Sequence, residues 1–463
     1  MGQDGAFDGL RRALSGQLLV PGDAAYDRAR TVFNAMIDRR PAAIARCASA
    51  KDVAAALAFA REKGIAVAVR GGGHSVAGLG VCDDGILIDL AGMKTIEVDP
   101  GARRARAGGG VLWGEFDAAT QAHALHTPGG RVTTTGIGGF TTGGGYGWTS
   151  SKHGLACDNL VRAQVVLANG DIVTASERQN EDLFWGIRGG GGNFGIVTEF
   201  VFGLHELGPI VHAGLAMWPI ERARDVLRAW RDFADGAPNE VSTAAVMVTA
   251  PPEPFVPDHL KGRTVVGVAA LYVGDCGRGP RAFEAITGLG PAVNLIQPMP
   301  YTAFQAMLDP MAPAGRRSYW RGEYMGALSD GAIDVFVEHG AELIAAGAPL
   351  SQAVFFRIGQ GVTSVPDDAT AFSHRDASYM FHPITFWERP ADDERLIAAS
   401  RSFAEAMRPY GSGGAYLNFT PEADRVRDAY GADKYRRLVA LKDKYDPGNL
   451  FRMNQNIRPS QAR

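Results

Sequence analysis

Ile65-Ala-Val-Ala-Val-Arg-Gly-Gly-Gly-His-Ser75 is a short apolar strand that delivers the chain directly into a glycine loop. Two further runs of the same kind follow, Gly136-Ile-Gly-Gly-Phe-Thr-Thr-Gly-Gly-Gly-Tyr-Gly147 and Arg188-Gly-Gly-Gly-Gly-Asn-Phe-Gly-Ile-Val197. A backbone that touches a pyrophosphate needs residues without a Cβ, because only then can successive N–H groups converge on the anion. The first loop lacks the GxGxxG spacing and the following helix of a Rossmann site, and no Gly-Lys-Ser/Thr of a P-loop is present. Three glycine loops drawn from distant positions suit a long, two-ended cofactor such as FAD.

Outward from these loops the chain is mixed α and β. Ile44–Cys47 reads as a strand, and Ser49 with Asp52 forms a capping box for a helix that Gly64 ends. Strands are expected at 85–90, 95–99 and 104–107, with a helix over 111–124. Residues 126–147 are too rich in glycine for regular structure and are expected to form a ligand-wrapping loop. Leu160–Ala168 and Asp171–Ala175 read as strands joined by a type I′ turn at Asn169-Gly170. A strand over 196–202 follows the third glycine run. Beyond Pro209 the glycine clustering ends. An amphipathic helix from Pro219 to about Phe233, strands at 241–249 and 264–273, and helices at 329–346 and 391–407 then form a second lobe. Tyr379–Trp387 reads as a strand with Met380, His382 and Ile384 on one face. A helix at 432–445 precedes the closing Tyr445-Asp-Pro-Gly-Asn turn.

Composition narrows the function classes. The 463 residues exceed what one core supports, and 46% hydrophobic with 21% charged residues is ordinary for a folded protein. The 59 glycines are far above the roughly 7% norm, and they cluster in the loops above. A net charge of -3 without basic runs argues against a nucleic-acid partner. Cys47, Cys82, Cys157 and Cys276 have no metal or redox spacing, so no metal site is expected. No stretch approaches the roughly 20 apolar residues of a membrane span, and the N-terminus lacks the apolar core of a signal peptide. The expected location is cytoplasmic.

Arg70-Gly-Gly-Gly-His-Ser75, Gly143-Gly-Gly-Tyr-Gly147, Arg188-Gly-Gly-Gly-Gly-Asn-Phe-Gly-Ile-Val197 and Tyr416-Leu-Asn418, in that order, resemble the berberine bridge enzyme-like family of the vanillyl-alcohol oxidase superfamily. The resemblance runs from about residue 35 to the end. It implies an α+β fold: a two-part PCMH-type FAD-binding domain (1–207), a substrate domain with an antiparallel sheet covered by helices (208–414), and a C-terminal segment (415–463) returning to the first domain. It also implies a covalent bond from His74 to the flavin methyl carbon. Arg70, Gly71, Gly72, Gly73 and Ser75 then approach the pyrophosphate, and Gly138, Gly139, Gly143, Gly144 and Gly145 form a second wall. Gly195, Ile196 and Val197 lie at the adenine end, and Tyr416, Asn418, Asn454 and Asn456 near the ring or ribityl chain.

The chain departs from the family pattern twice. Where many members carry a second, cysteinyl link, this sequence has Val132, so a single covalent attachment is expected, and Cys157 is read as a buried inert thiol. Where several members carry a catalytic tyrosine, this sequence has Phe419, which cannot accept a proton. Tyr146 is the first replacement base, provided cationic neighbours lower its pKa, and His382 the second. Trp148 and Tyr379 are expected along the cleft. The reading is an FAD-linked oxidase acting on an alcohol, a sugar or a secondary metabolite with O2 as acceptor. A dehydrogenase with another acceptor and a non-catalytic flavin-binding protein are its alternatives.

Overall fold

Each glycine run is anchored to a strand or a helix whose packing leaves little freedom. In the computed structural model, which describes residues 6–347, 350–422 and 425–461, Val67–Arg70 and Ala43–Arg46 flank Ile86–Asp89 in parallel, and Gln17–Leu19 adds an antiparallel edge. The parallel strands are short Val, Ile, Leu and Ala runs buried almost throughout, as strands covered on both faces require. The helix Ala50–Lys63 makes the crossover between Ala43–Arg46 and Val67–Arg70. Ser49 caps it by accepting from Asp52 N–H, and Gly64 ends it at φ 65°. Asp52 does not complete the expected capping box. Its carboxylate instead accepts from the N–H groups of Ser15, Gly16 and Ala48, pinning the N-terminal segment to the sheet.

A second, five-stranded antiparallel sheet runs in the order Ile96–Asp99, Arg104–Gly108, Ile196–Gly203, Leu160–Val166, Ile172–Ser176. Its hairpin differs from the expected two-residue turn. Leu167 N–H donates to Asp171 O and Gly170 N–H to Leu167 O, and only Gly170 of the Asn-Gly pair has positive φ (94°). This is a three-residue loop closed by a glycine bulge, a solution that spares Asn169 the left-handed conformation.

The tract 126–147 also departs from expectation, because it contains a helix, Ile137–Thr142. Packing overrides the roughly 1 kcal/mol that each interior glycine costs. Ile137 is fully buried and Phe140 meets Trp113 edge-on at 5.3 Å.

The third sheet has nine strands. Its main path is Val293–Asn294, Ile210–Pro219, Thr264–Tyr272, Val241–Thr249, Gln352–Arg357, Tyr379–Trp387, Arg317–Trp320. The helices Ala223–Gly236, Asp330–Ala346 and Asp393–Met407 cover one face, and side-chain alternation divides the strands cleanly. Ala216, Trp218, Ala245, Met247, Ala353, Phe355 and Phe381 pack under the helices. Their neighbours Leu215, Met217, Val246, Val354, His382 and Ile384 face the opposite way, into a cavity. The last helix, Val426–Tyr445, begins earlier than expected and breaks at Gly431 (φ 71°, ψ 167°). Its Leu438, Leu441 and Tyr445 join the core of the five-stranded sheet beside Phe184, Trp185 and Phe194.

Candidate active site

The uncovered face of the nine-stranded sheet and the glycine loops enclose one continuous cavity of about 700 Å³, at the upper part of the range for cofactor and substrate sites. One end is almost all backbone. Gly71, Gly72, Gly73, Gly109, Gly138, Gly139, Gly143, Gly191, Gly192 and Gly195 line it together with Ile196 and Val197. A Cβ on Gly72 would lie 2.3 Å from Gly136 N, so the first two loops are pressed backbone to backbone. Gly139 and Gly192 both line the cavity, and an added Cβ would meet nothing within 4 Å outside its own stretch of chain, so the space beside them is open. Among the described residues the N–H groups of Gly72, Gly73, His74 and Ser75 make no backbone hydrogen bond. Such a cradle of free donors and missing side chains fits the pyrophosphate of a dinucleotide.

His74 lies at the mouth of this cradle. Its ring stacks on Phe33 (centroids 4.2 Å apart) and its Nε2 is hydrogen-bonded to Thr134 Oγ1 at 2.8 Å, which leaves Nδ1 without a protein partner. Burial pushes its pKa down to about 4, so the imidazole is neutral and nucleophilic at physiological pH. Val132 also lines the cavity, and Cys157 does not. The Cys157 thiol is fully buried and its pKa is driven far up by desolvation, so it is inert.

Several expected contacts have other tasks. Arg70 borders the cavity, but its guanidinium is held by Asp89 (Nη2 to Oδ2, 2.8 Å) and Thr31 O, so it braces the first loop and leaves anion contact to the backbone. Ser75 Oγ accepts from Leu79 N–H. Gly144 and Gly145 do not line the cavity. They turn the chain at φ 111° and 87°, where a Cβ would strike Phe372 or Phe140. Tyr416 is likewise behind the wall, its hydroxyl accepting from Gly145 and Tyr146 N–H at 3.1 Å each. Asn418 lines the cavity and donates to Phe140 O. Asn454 lines it and donates to Gly192 O, whereas Asn456 lies outside the lining. Trp148 is in the cleft; Tyr379 faces the helices, with its hydroxyl donating to Asp235.

The two expected bases differ in electrostatics. Tyr146 lines the cavity with Arg131 and Arg357 nearby, but burial outweighs both cations and raises its pKa, and its hydroxyl donates to Arg357 O at 2.5 Å. The condition set for it as a base is not met. His382 projects from the strand Tyr379–Trp387, stacked on Phe419. Its Nδ1 donates to Arg321 O at 2.5 Å, which fixes the proton there and leaves Nε2 as an acceptor. Burial lowers its pKa to about 3, so the ring is neutral. The rest of the far wall is apolar, formed by Leu215, Met217, Val246, Leu295, Met307 and Phe386, with Gln352 among the few polar groups.

Sequence reasoning missed Arg131 and Thr134, because nothing local marks either residue. It also quoted Gly191 and Gly192 as motif positions without assigning them a contact, although both line the cavity and the space beside Gly192 is open.

A sequence profile described as FAD binding domain matches residues 41–176, and one described as berberine and berberine like matches residues 415–458. An FAD-linked oxidoreductase of Dictyostelium discoideum is 31% identical over 89% of this chain and 87% of that protein. The (R)-6-hydroxynicotine oxidase of Paenarthrobacter nicotinovorans is 29% identical over 96% of this chain and 97% of its own. The crystal structure of 6-hydroxy-D-nicotine oxidase from Arthrobacter nicotinovorans superposes with a TM-score of 0.84 at 27% identity, covering 96% of this chain and 98% of that one.

Proposed function

The chain belongs to the berberine bridge enzyme-like family of FAD-dependent oxidoreductases, and from this we propose that it is an oxidase carrying FAD through a single covalent bond to His74 and oxidising a largely apolar organic molecule. We assign residues 1–207 and 415–463 to the cofactor and 208–414 to the substrate. The observation that carries the reading is the continuity of one cavity from the glycine cradle, past His74, to the apolar sheet face with His382.

When bound, FAD supplies a two-electron hydride acceptor. The backbone N–H groups of Gly72 to Ser75 hold the anionic centre of the cofactor, and Gly139 and Gly192 leave room for it. His74 offers its neutral Nδ1 for attachment while Thr134 holds Nε2. The absence of sulfur at Val132 excludes a cysteinyl link at that position. His382 accepts at Nε2 the proton that the substrate hydroxyl or amine releases as it is oxidised, with Arg321 O fixing the tautomer. Leu215, Met217 and Val246 exclude water from this end. An oligosaccharide needs many hydrogen-bonding partners and finds few on this wall, so an alcohol or amine on an apolar scaffold fits better. O2 is the proposed electron acceptor, supported by the oxidase activity in the name of the similar 6-hydroxynicotine oxidase.

The test is direct. The purified protein should be yellow and keep its colour in the acid-precipitated pellet. Apolar aryl alcohols or amines should bleach it anaerobically, and admitting air should restore the colour with release of peroxide. Bleaching without peroxide release would remove the oxidase assignment.

A further inference from the structure

Arg131 is a buried cation with no acid beside it among the described residues. Its guanidinium is enclosed by three aromatic rings, with Cζ 4.0 Å from the Phe356 centroid, 4.6 Å from Tyr146 and 4.7 Å from Trp148. The side chain is about nine-tenths buried. It donates from Nη2 to Gly147 O at 3.3 Å, the neutral Tyr146 hydroxyl lies close enough to accept from it as well, and Nε is buried without a partner. Among the described residues the groups of potentially opposite charge around it are the phenols of Tyr146 and Tyr416, both neutral at physiological pH. Ring quadrupoles attract the cation but do not cancel its charge. Taking a guanidinium out of water without a carboxylate is strongly unfavourable unless an anion arrives to meet it. Arg131 lines the cavity, so that anion can come from the cavity side.

We propose, resting on the flavin oxidase reading above, that Arg131 is the substrate-recognition residue and that the substrate is a flat apolar molecule bearing one carboxylate, which seats on this guanidinium. The surrounding wall of Leu, Met, Val and Phe takes the apolar body. Arg131 and His382 both lie close to the same ring, Phe356, whose centroid is 4.0 Å from the guanidinium carbon and 6.1 Å from the histidine centroid. The guanidinium and the imidazole are thus near neighbours on one wall of the cavity, close enough for a single small molecule to reach both. A carboxylate on the guanidinium orients the molecule so that its reacting hydroxyl or amine reaches His382 Nε2.

The experiment uses the yellow holoenzyme and two probes of equal shape, 2-naphthoate and neutral 2-naphthamide, each titrated while the flavin absorption is followed. Naphthoate should bind about tenfold or more tightly than naphthamide, the usual scale of a charge-assisted hydrogen bond out of water. In Arg131→Met the preference should vanish, and Arg131→Lys should retain part of it; flavin content checks that both variants fold. Equal affinity of the two probes for the native enzyme, or no carboxylate-specific response at all, overturns the proposal. So does a preference that survives in Arg131→Met, or a variant whose flavin reduction potential moves while its probe preference does not, since Arg131 would then serve the cofactor. A colourless protein is a different failure, because it removes the flavin reading on which this one stands.

Discussion

The imidazole of His382 lies flat on Phe419, with ring centroids 4.0 Å apart and planes 10° from parallel. Phe419 has no hydroxyl of its own, and its face serves as a wall that fixes the histidine. With Nδ1 held by Arg321 O, the ring has one orientation and one free nitrogen.

His382→Gln should lower kcat by about 10²–10⁴-fold, the usual contribution of a positioned base, with flavin content unchanged. The neutral ring is the working form, and burial lowers its pKa to about 3. The acid limb of the pH–rate profile should therefore lie well below 6.5, the value of an ordinary histidine. Phe419→Ala admits water and should move that limb upward. A limb near 6.5 in the native enzyme would point to a different base.

His74→Ala should leave any bound flavin extractable by acid. Thr134→Val, which removes only the partner of Nε2, should slow attachment without abolishing it. The colour of the precipitated protein after timed incubation with FAD distinguishes the three proteins.

Cys157→Ala should leave covalent flavin unchanged, because the thiol is buried and its pKa is raised by desolvation. A thiol reagent should label Cys157 only after denaturation. Loss of attached flavin in this variant would reverse the assignment of a single link.

Acid should destabilise the protein through a histidine cluster. His153 and His205 stack at 3.9 Å, and His126, 5.2 Å from His153, is buried with neither ring nitrogen partnered. Burial lowers the pKa of all three, that of His153 to about 3, with mutual repulsion and Lys152 adding to the effect. Between the unfolded value near 6.5 and these depressed values the unfolded chain binds more protons. Stability is therefore complete above about pH 6.5 and falls as the pH drops below it. Thermal melts of His126→Phe should show a shallower loss between pH 6.5 and 4 than the native protein. Parallel slopes would remove the cluster from the explanation.

Lys442→Met should cost about 3–5 kcal/mol, the usual penalty for stranding one member of a buried ion pair. Lys442 Nζ meets Asp446 at 2.7 Å and also donates to Asn193 O and Phe451 O, so it joins the last helix, the closing turn and the third glycine run. Denaturant melts measure the loss.

The local signals were legible without any structure. The glycine run after the strand Val67–Arg70, the cap and stop of the helix Ala50–Lys63, and the strand Tyr379–Trp387 each depend on residue type and near neighbours, because backbone sterics and side-chain chemistry act within a few residues. Val132 and Phe419, by contrast, stood out only against the family pattern the motifs resemble. Tertiary structure decided which of those residues reach the cavity. Gly144, Gly145 and Tyr416 turned out to be scaffold, and the helix at Ile137–Thr142 exists because Ile137 and Phe140 are buried against distant partners. Arg131 gained its meaning only when Tyr146, Trp148 and Phe356 closed around it. Burial sets whether a charge is paired or a phenol loses its proton, and burial is a property of the whole packed chain that no short stretch of sequence contains.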